Sequence, residues 1–289
     1  MTTLAVDSST LIRESIAKVP ALATLPGITT QIFRVVEDPR STTSQLNKII
    51  AHDPALVARI LKVVNSAFYG LPGQIGSVER AIVMLGLNGV KNLAVAASLG
   101  QMFRGARLGD AFAPRELWKH CIAVGVAART LARHAQAPWV DEAFLAGMIH
   151  DVGILVNMQV APEKLAAVCT SAKSSGGDFC QIERDILGYD HQEIGQALTT
   201  QWKFPRACQL VAGYHHRPTA LGEDGRPLVS LVYLADTLCC QAGHGFSLTA
   251  AGQPLDESLM AAQNLSAAAL EEVRKQLPDL LRDAQSALG

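Results

Sequence analysis

Apolar residues along this chain recur at spacings of three and four, and almost nowhere alternate, so the predicted elements are helices. Residues 1–20 predict a short amphipathic helix ended by Val19-Pro20, and a turn follows at Leu25-Pro26-Gly27. Ile28, Ile32, Phe33 and Val36 then mark one face of a helix stopped by Asp38-Pro39. Ser41 is the expected N-cap of the next segment, through Leu46 and Ile50. Asp53 followed by Pro54 is a stronger start signal, and Leu56, Ile60, Leu61 and Val64 share a face beyond it. Ser77 opens a further helix, and Asn88 another that runs to Phe103.

From Arg104 to Pro114 the periodicity lapses and glycine and proline appear, which predicts a boundary between two helical units, residues 1–108 and 109–289. Helices are expected beyond it over 116–135, 141–158, 162–175, 179–187, 191–202, 205–215 and 228–240. A last one runs over 266–288, interrupted at Pro278. The fold class is all-α: a helical N-terminal subdomain packed on a second helical core.

Composition sharpens this picture. With 49% hydrophobic residues and 18% charged, the chain can bury a large core. The 25 basic and 26 acidic side chains leave no positive excess, which argues against a protein that lives on phosphate backbones. The segment over 46–67 resembles a helix-turn-helix only superficially, since its second helix carries just Arg59 and Lys62 as cations. Neither nucleic acid nor membrane is an expected partner. No signal peptide and no apolar run of spanning length is read, so a cytoplasmic location is expected. The six cysteines form no C-x-x-C pair and read as buried thiols.

The chemistry is concentrated in the second half, where seven of the eight histidines lie. Glu116 and His120 share a helix face four residues apart, and His150-Asp151 falls near the middle of the helix expected over 141–158. His191 follows the cap-like Asp190, His215-His216 ends another helix, and Asp236 sits in the apolar LVYLADTLCC. Imidazole with carboxylate is a ligand set suited to iron, manganese or zinc. A carboxylate in apolar surroundings needs a cation or a partner. Taken singly, each of these residues reads as structural. His134 and His244 match no motif and are expected at the surface, and Asn65-Ser66 is expected to shape a helix end or the groove between the two subdomains.

The order E-x3-H, HD, H, HH, D resembles the HD-GYP branch of the HD phosphohydrolases. The flanking residues narrow the resemblance to the HDOD domain over roughly 19–240. They are LPGI at 25–28, HDP at 52–54, LKVVNSAFYG at 61–70, IGSVERAIVMLG at 75–86, LWKH at 117–120, AGMIHDVG at 146–153, GYDHQEIG at 188–195, QWKFP at 201–205 and HHRP at 215–218. The resemblance implies that Glu116, His120, His150, Asp151, His191, His215, His216 and Asp236 ligate two or three divalent ions of iron, manganese or zinc. It also implies a bacterial signalling or output role with a protein partner, and a nucleotide or phosphate compound as candidate ligand. Two departures from the catalytic branch stand out. Ile154 occupies the place of its lysine, and HHRPTALGEDGRP replaces its glycine-tyrosine-proline loop. Lacking a cation to stabilise the transferring phosphate, the chain is expected to regulate rather than catalyse. A metal-dependent phosphohydrolase is the main alternative, and a DNA-binding regulator the third.

Overall fold

The computed structural model describes residues 7–19, 27–38, 40–105 and 107–289; the turn at Leu25-Pro26 and the stop at Pro39 lie outside them. All regular elements among these residues are helical, joined by one isolated bridge between Leu108 and Phe112. The first half holds α1 (Ser8–Ala17), α2 (Gly27–Glu37), α3 (Thr43–Ala51), α4 (Pro54–Val64) and α5 (Val78–Leu99). Asp53 caps α4 by accepting from Leu56 N–H at 2.9 Å. The cap of α3 is Thr42 rather than Ser41, because Thr42 can form a reciprocal capping box with Gln45. The two helices expected on either side of residue 87 run together as α5 across a kink at Gly86 (φ 76°, ψ 168°), a conformation only glycine adopts cheaply.

A 3₁₀ turn (Gly100–Phe103) leads through the irregular stretch to α6 (Pro114–His134). Then come α7 (Val140–Ile149), α8 (Val152–Val160), α9 (Pro162–Ser175) and α10 (Phe179–Leu187). The chain closes with α11 (His191–Gln201), α12 (Arg206–Tyr214), α13 (Arg226–Gln241), α14 (Glu257–Ala262) and α15 (Ala267–Leu288). Helix α14 was not legible in the periodicity. Pro278 does not interrupt α15: the residue is exposed, so the lost backbone hydrogen bond opens only towards solvent. The helix expected over 141–158 is broken in two at His150-Asp151, and the break sets the site described below.

Helix α6 is the axis, packed on α7, α13 and α15, while α11 pairs with α12 and α8. Helices α2, α3 and α4 pack on α5, and α5 on α7. The chain ends cross over. Helix α1 lies on α11 and α8, with Ser15 Oγ 3.1 Å from Tyr189 Oη, and α15 lies on α4 as well as α6. Arg129 of α6 ties the halves together. Its guanidinium sits 4.2 Å from the Tyr69 ring centre and 4.9 Å from that of Phe68, donates to Phe68 O and pairs with Asp141 at 3.3 Å. Asn65 does shape a helix end: its amide exchanges hydrogen bonds with Ile75 (2.7 and 2.9 Å) and donates to Leu61 O.

Two stretches, Val78–Phe103 and Val140–Val160, are long and apolar enough to cross a bilayer by length and composition, although charged residues interrupt both. The protein itself buries 61% and 89% of them, which accounts for their apolarity as core. All six cysteines are buried free thiols, and burial pushes Cys169 and Cys208 up to about 12.

Candidate metal centre

The site is made by helix ends and by one close backbone approach. Helix α7 stops at Ile149, and α8 restarts at Val152, so His150 and Asp151 occupy the joint and both side chains turn into the core. Gly153 makes the joint possible. A Cβ there would lie 2.0 Å from His191 O, so only glycine lets α8 reach the start of α11. Asp190 caps α11 with a capping box to Glu193 and is held by Arg184, which fixes the direction of His191. His215 and His216 follow α12, His120 projects from α6, and Asp236 projects from the middle of α13.

These seven side chains meet in one buried cluster. Asp151 Oδ1 lies 3.3 Å from His191 Nε2 and 3.4 Å from His215 Nε2. Asp151 Oδ2 lies 3.3 Å from His150 Nε2 and 3.8 Å from His120 Nε2. Asp236 Oδ1 lies 3.1 Å from His120 Nε2 and 3.9 Å from His150 Nε2, and its Oδ2 is 3.8 Å from His216 Nδ1. Six of the side chains have no exposed surface, and His216 keeps 9%. Ligand-type atoms of Asp151, His191, His215 and His216 all lie within 4.8 Å of one another, as do those of His120, His150 and Asp151. Glu116 stands outside. Its carboxylate is partly exposed and paired with Lys119 at 2.8 Å, and it joins none of the converging groups among the described residues.

Each imidazole is oriented from behind through Nδ1. The partners are His244 O for His120 (3.3 Å), Gly147 O for His150 (2.7 Å) and Val211 O for His215 (3.0 Å). Glu183 Oε2 holds His191 (2.5 Å), and Gln253 Oε1 holds His216 (2.8 Å). Tied Nδ1 atoms with Nε2 turned inward are how proteins present imidazole to a metal. The inward atoms are left wanting: His120, His150 and His216 Nε2, both oxygens of Asp151 and Asp236 Oδ2 are buried without a hydrogen-bond partner. His120 Nε2 is close to Asp236 Oδ1 but misdirected for a hydrogen bond. Leaving so many buried polar atoms unpaired is costly, and divalent cations would satisfy them together. The donor set fits iron, manganese or zinc.

The electrostatics agree. Burial alone would push the carboxyls of Asp151 and Asp236 up, yet the histidines around them outweigh it and hold both well below the usual carboxylate range. Burial lowers His215 to about 4 and His216 to about 3, so both are neutral, the form that binds metal. Burial also opposes charge on His191, but Glu183 and then Asp151 prevail and raise it to about 9.

Several supporting residues were missed by sequence reasoning. Glu183 shares a face of α10 with Phe179 and Leu187, and a glutamate on an apolar face was the available signal. Gln253 lies in coil and left none. His244 and His134, expected at the surface, are half-buried, and the His244 carbonyl serves the cluster. Trp118 is a buried wall that donates to Leu288 O at 2.9 Å. Beside the cluster, a cavity of about 350 Å³ is lined by Phe179, His216, Tyr233 and the loop 248–254.

Several known proteins resemble this chain in sequence or in fold. A Treponema pallidum (strain Nichols) protein of uncharacterized role is 26% identical over 230 residues, 79% of this chain and 44% of that protein. The chain thus spans less than half of that curated relative. The structure of an HDOD domain protein of unknown function from Geobacter sulfurreducens matches 95% of this chain and 99% of its own at 24% identity, TM-score 0.75. A Shewanella amazonensis SB2B protein whose name proposes a phosphohydrolase matches 96% and 98% at 22% identity, TM-score 0.74. A Marinobacter aquaeolei VT8 protein whose name proposes signal transduction matches 99% and 66% at 24% identity, TM-score 0.72. At these identities the solved structures establish the all-helical fold. The HDOD domain family itself matches residues 22–218, and the chain belongs to that family.

Proposed function

We propose that this HDOD protein is a cytoplasmic bacterial signalling regulator. It would hold divalent metal in the cluster around Asp151 and act through a ligand- or partner-binding surface rather than by turnover. His120, His150, Asp151, His191, His215, His216 and Asp236 would hold the ions. Bound there, the ions would supply Lewis acidity and cross-link α6, the α7–α8 joint, α11, the end of α12 and α13. The observation that carries this reading is the near-total burial of the seven ligand-type side chains, with Ile154, also fully buried, where the catalytic branch has a lysine. Such a site organises a core better than it admits a substrate.

The division into residues 1–108 and 109–289 belongs to the same proposal. The most family-specific stretch, 61–86, contributes Leu61, Lys62, Asn65, Ser66 and Ile75 to an open cavity of about 550 Å³ shared with Asp283 and Ser286 of α15. A surface joining the two halves is where a signalling partner would sense their packing. A metal-dependent phosphohydrolase is the second reading, favoured by the 350 Å³ cavity that reaches His216. Turnover decides between them. Full-length protein loaded with manganese or iron is expected to cleave neither cyclic-di-GMP nor a generic phosphodiester at a useful rate. Turnover within tenfold of a typical enzyme's ~10 s⁻¹ would move the hydrolase reading ahead.

A further inference from the structure

A second cavity, of about 390 Å³, lies among the end of α5, the start of α6, α4 and the end of α15, and its lining includes Arg59, Arg104 and Arg115. Among the described residues, no aspartate or glutamate lines it. Among the described residues none of these three arginines has an ion pair, whereas Arg40, Arg129, Arg184, Arg217, Arg274 and Arg282 each face a carboxylate. Arg59 Nε is buried with no hydrogen-bond partner. A buried guanidinium N–H without an acceptor is costly, and in a chain with net charge −1 three unpaired guanidiniums in one cavity are not explained by an overall basic excess. One wall is aromatic, formed by Phe103 and Trp118 with ring centres 4.5 Å apart.

We propose that this cavity is a binding site for a phosphate-bearing small molecule. The phosphate would be held by Arg59, Arg104 and Arg115, with any attached ring or sugar against Phe103 and Trp118. Guanidinium and phosphate match in charge and in hydrogen-bond geometry, and the volume is that of a small-ligand pocket. The site is distinct from the metal cluster and uses none of its residues. Because Arg59 belongs to the first half and Arg115 to the second, bound phosphate would clamp the halves together.

Calorimetric titration of the full-length protein at low salt, with inorganic phosphate and separately with AMP, tests this site. Saturable binding of either is expected. Tighter binding of AMP identifies a phosphorylated metabolite that uses the aromatic wall, and equal affinity identifies free phosphate. The double variant Arg104→Ala/Arg115→Ala changes two exposed side chains, so it should fold, and it should bind at least about tenfold more weakly. Absence of saturable binding overturns the proposal. So does binding that survives the double variant and disappears in Asp151→Ala, which would place the ligand at the metal cluster.

Discussion

Glu183 Oε2 lies 2.5 Å from His191 Nδ1 and accepts the His191 backbone N–H at 2.8 Å, so one buried carboxylate fixes both the ring and the start of its helix. Burial raises the Glu183 carboxyl, while His191 pulls against that shift. With Nδ1 held by Glu183, Nε2 is the ring atom that faces Asp151, at 3.3 Å. Glu183→Gln is close to isosteric and should leave the fold intact. It should weaken metal binding by ~10–100-fold, the usual cost of losing an orienting partner. A chelator competition assay on both proteins measures the ratio, and unchanged affinity would show that His191 needs no such support.

The same pair shapes pH dependence in metal-free protein. His191, held up at about 9, binds its proton more tightly folded than unfolded. Its contribution is complete below the unperturbed ~6.5 and is lost as pH rises through about 9. His215 and His216, lowered to about 4 and about 3, behave oppositely. Their contribution is complete above ~6.5 and is lost as pH falls. Glu183, pushed up by burial, offsets part of the acid-side loss, to which Asp151 and Asp236, held low by the surrounding histidines, add. Thermal stability after chelation should therefore peak near ~6.5 and decline on both sides. A melting temperature that climbs steadily to pH 9 would contradict this assignment.

Arg129 should matter for stability far from the cluster. Arg129→Ala removes a cation stacked between Phe68 and Tyr69 and a hydrogen bond to Phe68 O. The loss should be at least about 2 kcal/mol, summed over the stacking and the hydrogen bond. Urea unfolding measures it. Because the contacts join the two halves, a change in denaturant slope would show that they begin to unfold separately.

Gly153 should tolerate no side chain. With a Cβ 2.0 Å from His191 O, Gly153→Ala must push α8 away from α11. A cost of about 3 kcal/mol and loss of metal binding are expected together. A stable variant that retains metal would mean that the α8–α11 approach is not what builds the site.

Much of this was legible in the sequence because periodicity and caps are local. Asp53-Pro54, Asp190 and the apolar stripes of α4 and α10 announce themselves within a turn or two. The candidate ligand residues were legible as an ordered set, and seven of the eight converge. Glu116 does not, since helical spacing shows a shared face but not how far round the helix the core extends. The break at His150-Asp151 was hidden because both flanks are fully apolar, and only the approach of Gly153 to α11 decides it. Pro278 misled for the opposite reason, since proline's cost depends on whether the orphaned carbonyl meets water. The placement of α1 on α11, and of Gln253 behind His216, depends on tertiary contacts with no local signature.

The metal site itself can be tested in crystals of the full-length protein grown with iron, manganese or zinc, by anomalous difference maps across each element's absorption edge. Strong peaks enclosed by His120, His150, Asp151, His191, His215, His216 and Asp236 are the result this account predicts. A cluster without anomalous density in metal-saturated crystals, its Asp151 oxygens satisfied by water or by histidine alone, would contradict it.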